Sequence, residues 1–125
     1  MSWQKEHFRT LNAAYSSTPF FEHYINQLSP VFETQFDSLL ELNKWTFQKV
    51  MQLLDLEMNC EFSEKYEQVE TNLDYRLSRN ENFMDLNSTY YQLNFDRQMP
   101  FIGNLSILDL LFNQGPEARL VVQSY

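Results

Sequence analysis

Residues 104–116, NLSILDLLFNQGP, constrain the fold more than any other stretch of this chain. They predict a helix over 105–113 with both ends written into the sequence. Asn104 can cap the N-terminus by accepting a backbone N–H bond. Gly115 can adopt the positive φ that ends a helix, and Pro116 opposes its continuation. Between these signals Leu105, Ile107, Leu108, Leu110, Leu111 and Phe112 are large and apolar. The polar exceptions, Ser106, Asp109 and Asn113, are spaced i, i+3, i+7 and form one stripe. That stripe either faces water from a helix sunk in the core or lines a polar site.

A chain of 125 residues is read as a single domain, 1–125. Aromatic residues make up 16% of it, with 11 Phe, 7 Tyr and 2 Trp. That content implies a dense core or a surface that docks onto another body. The net charge of −8 opposes nucleic acid as a partner, because phosphate binding needs clustered Lys and Arg. It disfavours an anionic membrane surface as well. No apolar run reaches the roughly 20 residues that span a bilayer, and the polar start MSWQKEH has no signal-peptide core. One cysteine, Cys60, leaves no internal disulfide framework and suits a reducing compartment, so the cytoplasm is expected. Gly103 and Gly115 are the only glycines, which rules out a glycine-rich phosphate loop.

Along the chain, Trp3, His7, Leu11 and Tyr15 fall on one i, i+4 row and predict a helix over 3–15. Thr18 and Pro19 read as cap and first residue of a second helix, 19–28, and Ser29-Pro30 repeats the signal. A third helix is expected over 36–56, with apolar residues on two faces and Asn59 as a candidate terminator. Residues 73–77 and 89–95 are strand candidates by alternation and composition, and 120–122 reads as a frayed tail or short edge strand. The expected class is mainly α with minor β, α+β.

Several segments resemble the WbqC-like family of bacterial proteins. They are Trp3-x-x-x-His7, the break YSSTPFF at 15–21, Leu39-x-x-Leu42-Asn43, Asp74-Tyr75-Arg76, Tyr91-Gln92 and the 104–116 helix. The later segments look most like the Bacteroidetes-type branch. The resemblance implies the C-terminal, mainly helical part of a longer family protein. It also implies a context in surface-polysaccharide (O-antigen-type) synthesis, without a settled reaction.

Each candidate residue carries two readings. His7 is a general acid or base, or a half-buried histidine packed beside Trp3. Asp109 is a carboxylate poised at a substrate pocket, or a structural carboxylate whose burial demands a partner, with Arg76 the first choice and Arg97 the second. Arg76 can hold the phosphate of a nucleotide-activated sugar bidentately, or pair locally with Asp74. Arg9 and Asn113 complete the polar set. Tyr15, Tyr90 and Tyr91 either stack on a sugar ring or sit in the core with a wet hydroxyl. His7 and His23 have no metal-ligand spacing, so no metal and no cofactor are expected. Cys60 reads as a small buried residue. Two functions from different classes remain open: a transferase acting on an activated sugar, and a non-catalytic helical module that packs on a missing N-terminal region or a protein partner, a homo-oligomer included.

Overall fold

A computed structural model of the chain describes residues 2–67, 102 and 105–124. Six α-helices appear in it: α1 Trp3–Tyr15, α2 Phe21–Leu28, α3 Pro30–Glu33, α4 Leu39–Leu53, α5 Ile107–Gln114 and α6 Ala118–Gln123. A 3₁₀ turn, Gly115–Glu117, joins the last two. Among the described residues there is no strand, so the expected α+β class is corrected to all-α over these residues. The strand candidates 73–77 and 89–95 lie outside them. Residues 120–122 are helical, and Val121 and Val122 pack on the core where α6 meets α5.

The core is built on α2 and α5. Phe21, Tyr24, Ile25 and Leu28 line one face of α2 at helical spacing and meet Leu110, Leu111 and Phe112 of α5. Leu54 and Ala118 close the cluster. Phe112 is 0% exposed, with its ring centroid 5.2 Å from that of Tyr15 and 5.1 Å from that of Phe21. Such tilted aromatic contacts add to the burial of area alone. The α1 helix crosses α3, held by the Gln4 side-chain amide donating to the Val31 and Thr34 carbonyls at 2.9 and 2.6 Å.

Helix ends depart from the sequence reading for identifiable reasons. The second helix begins at Phe21 rather than 19, and Thr18 does not cap it. The Thr18 hydroxyl turns back and donates to the Tyr15 carbonyl at 2.6 Å, while the Phe20 N–H donates to the Phe112 carbonyl at 3.2 Å. Ser29 behaves alike: its hydroxyl donates to the Asn26 carbonyl, and Pro30 keeps the expected first helical position. The third predicted helix, 36–56, shortens to Leu39–Leu53. Ser38 caps it by accepting from Glu41 N–H, and the Glu41 carboxylate accepts from Asp37 N–H, an arrangement close to a capping box. Its end is a Schellman motif without glycine. Leu56 N–H donates to Met51 O, Asp55 N–H donates to Gln52 O, and Asp55 takes a φ of 53°. Asp55, not Asn59, is therefore the terminator. The last predicted helix, 105–113, runs over Ile107–Gln114, capped by Ser106, whose hydroxyl accepts from Leu108 N–H. Asn104 lies outside the described residues.

Gly115 confirms the termination signal and shows why the residue must be glycine. Its φ is 58° with ψ −130°, and a Cβ placed there would lie 2.5 Å from the Phe20 ring. Gly115→Ala is expected to cost about 3 kcal/mol, backbone strain and overpacking together, read by chemical denaturation. Asp55→Gly is expected to raise stability by about 1 kcal/mol, because relief of the left-handed strain outweighs loss of an exposed ion pair to Arg119.

Candidate functional site

The polar stripe on α5 splits between two environments. Ser106 is exposed at the cap, whereas Asp109 is 2% and Asn113 1% exposed. The Asp109–Asn113 part of the stripe therefore does not face water. The Tyr15 hydroxyl, carried to α5 by the last turn of α1, interacts with the Asp109 carboxylate. The Asn113 amide donates to the Asp109 backbone carbonyl at 2.8 Å. Buried polar atoms left without a partner would cost about 1–3 kcal/mol each, and no such side-chain atom occurs among the described residues. Burial, followed by the hydrogen bond to Asp109 and the charge of Asp109, pushes the Tyr15 hydroxyl from 10.0 up to about 12. Arg76 and Arg97, the partners expected from the sequence, lie outside the described residues, as do Tyr90 and Tyr91.

Tyr15 was legible as a partner in one respect. It ends the Trp3, His7, Leu11 row, and a tyrosine turned into a core needs a mate for its hydroxyl. The row itself divides in two. Leu11 and Tyr15 pack against the core, whereas Trp3 is 43% exposed and His7 is exposed beside it. The Trp3 and His7 rings meet edge to face with centroids 5.4 Å apart. Both line a cleft of about 620 Å³ between the first turns of α1 and the approach to α4. Arg9 is exposed and lines a different cleft, of about 300 Å³, between α1 and α3. Of the candidate polar residues, the structure thus joins Asp109 to Asn113 and leaves His7 and Arg9 in separate surface clefts.

A third cleft, of about 750 Å³, is almost wholly apolar. Leu28, Val31 and Phe32 form one wall, Leu40 and Phe47 of α4 the other, and Phe62 lies at the rim with the Lys44 ammonium 4.2 Å from its ring centroid. No residue of α4 is buried, and Leu40 is 56% exposed, so its two apolar faces are not both covered among the described residues. Cys60 also lines this cleft and is exposed, which corrects its reading as a buried residue. Among the described residues no three His, Cys, Asp or Glu side chains are grouped to hold a metal ion. No described helix is long and apolar enough to cross a membrane.

Two measurements test the buried pair. Tyr15→Phe and Asp109→Leu are each expected to cost about 1–3 kcal/mol, and the double variant less than their sum, because the two side chains interact. A double-mutant cycle in urea reads this coupling. The pH dependence has a definite sign. The folded state holds the Tyr15 proton more tightly than the unfolded chain does, so this contribution is complete below pH 10.0 and is lost as pH rises toward about 12. Stability should fall more steeply over that window in the parent protein than in Tyr15→Phe.

Comparison with known proteins adds one match. A sequence model described as the WbqC-like protein family matches residues 1–82. The matched span holds the Trp3-x-x-x-His7, 15–21, 39–43 and 74–76 segments and ends before Tyr91-Gln92 and the 104–116 helix. No curated protein and no solved structure matches the chain significantly.

Proposed function

Because the chain belongs to the WbqC-like protein family, we propose that it serves bacterial surface-polysaccharide synthesis, with its helical body acting as a binding and docking module rather than as the centre of chemistry. One observation carries this choice. Of His7, Arg9, Arg76 and Asp109, the polar residues expected to carry a transfer reaction, the three within the described residues occupy two separate surface clefts and a buried position. General acid–base chemistry needs its groups within hydrogen-bond reach of one substrate. The burial of Asp109 next to Tyr15 supports a part for it in holding the fold. The apolar cleft beside α4 supports a docking role, since exposed apolar surface of this kind marks contact sites in proteins.

A second reading, a transferase acting on an activated sugar, draws support from the Trp3–His7 cleft, where an imidazole stands beside an aromatic face. A thermal-shift titration of the full chain with UDP-glucose separates the two. A saturable rise, worth about 2.7 kcal/mol at one hundred times Kd, that disappears in His7→Ala or Arg9→Ala would establish the transferase reading and overturn the docking one. An unchanged melting curve in the parent and in both variants is the outcome expected here.

A further inference from the structure

The cleft of about 620 Å³ at the start of α1 has an unusual lining. Trp3 presents an exposed indole, and His7 stands edge-on against it at an interplanar angle of 72°. Phe36 supplies a second aromatic wall, itself set edge to face against Trp45. Besides the His7 imidazole, the polar groups are the Gln4 and Gln35 amides and the Ser38 hydroxyl. Gln4 is anchored through its nitrogen to the Val31 and Thr34 carbonyls, so its amide is held in one place. Ser38 is fixed as the cap of α4 by accepting from Glu41 N–H, which leaves its own proton to donate. Among the described residues lining the cleft there is no Asp, Glu, Lys or Arg.

That combination selects a ligand class. Phosphates and carboxylates are held by Arg, Lys or helix N-terminal amides in charge-assisted bonds; no Arg or Lys lines this cleft, and the N-terminal turn of α4 that does is already capped by Ser38 and the Glu41 carboxylate. Amides and hydroxyls both donate and accept, which is what a ring of hydroxyl groups requires. A pyranose also has an apolar face of C–H bonds whose positive edges suit the negative face of an aromatic ring. A few fixed polar groups around an aromatic wall, in a cleft within the roughly 300–1,000 Å³ of small-ligand sites, form a built recognition surface. We propose that this cleft binds a neutral glycan, with one sugar ring stacked on Trp3 and its hydroxyls met by Gln35, Gln4 and Ser38. His7 acts there as a positioning residue that sets the plane of the indole. The inference rests on the polysaccharide context proposed above and deepens it: the ligand recognised is an uncharged saccharide, not a nucleotide-linked donor.

The test uses the full chain and the indole N–H signals of its two tryptophans in a nitrogen-correlated NMR spectrum. Maltose, cellobiose and N,N′-diacetylchitobiose are titrated separately, with UDP-glucose and UMP alongside. The expected result is a saturable shift of the Trp3 indole with at least one neutral disaccharide, and none with UMP. Binding should weaken about tenfold or more in Trp3→Ala, the loss of one stacking contact, and also in Gln35→Ala, with melting temperature unchanged in both. Both positions are exposed, so the variants retain the fold. A response to UDP-glucose and UMP without one to the disaccharides overturns the neutral-glycan site and favours the transferase reading. No response to any of them overturns the site and leaves the docking role standing. A shift that survives Trp3→Ala, read on the remaining signals, places the ligand elsewhere and overturns the assignment.

Discussion

The seating of Phe112 is the contact on which the rest of the described structure depends. Its ring is fully buried between Tyr15 at the end of α1 and Phe21 at the start of α2. Its carbonyl accepts from Phe20 N–H in the turn between those helices. One residue of α5 therefore joins two helices by side chain and backbone at once, across more than ninety positions of sequence. The same turn sets the position of the Phe20 ring, and that ring leaves no room for a side chain at Gly115. The start of α2, the end of α5 and the entry into α6 are one packing problem with one solution.

Burying α5 so deeply carries a polar cost, because Asp109 and Asn113 go in with it. Contacts among the described residues offset part of that cost. Asn113 bonds to the backbone one turn back, and Tyr15 brings its hydroxyl to the carboxylate. The carboxylate that stands out most in the sequence is thus buried beside α1 rather than open to a surface cleft. Residues with chemistry to offer a ligand stand at the other end of α1, where the helix leaves the core and Trp3 and His7 meet an open cleft. One helix row supplies both: its last two members hold the fold and its first two remain available.

Much of the helical skeleton was legible. The limits of α1, Trp3–Tyr15, follow from its apolar row alone, and the proline at the first position of α3 and the glycine after α5 act as their chemistry requires. The misplaced ends share a cause. Thr18 and Ser29 are good cap residues by type, yet both hydroxyls bond backward to the preceding turn. Asp55 adopts a left-handed conformation that composition assigns to Gly or Asn. The candidate site was legible only in part. His7 could be placed beside Trp3 by spacing, but Gln35, Phe36 and Ser38 join them through the crossing of α1 with α3, which no local pattern encodes.

Local chemistry in the sequence determined that the chain forms amphipathic helices, where several of them break, and which side chains are apolar enough to need a core. Periodicity and backbone preference act over a few residues, so they can be read without knowing the fold. Only the tertiary structure decided which face of α5 is buried, that Tyr15 answers Asp109, that residues 120–122 fold as helix, and that His7 and Arg9 open onto different clefts. Those outcomes depend on distances between residues remote in sequence. Such distances are set when helices pack, because a buried polar group takes whichever partner the packing brings within reach.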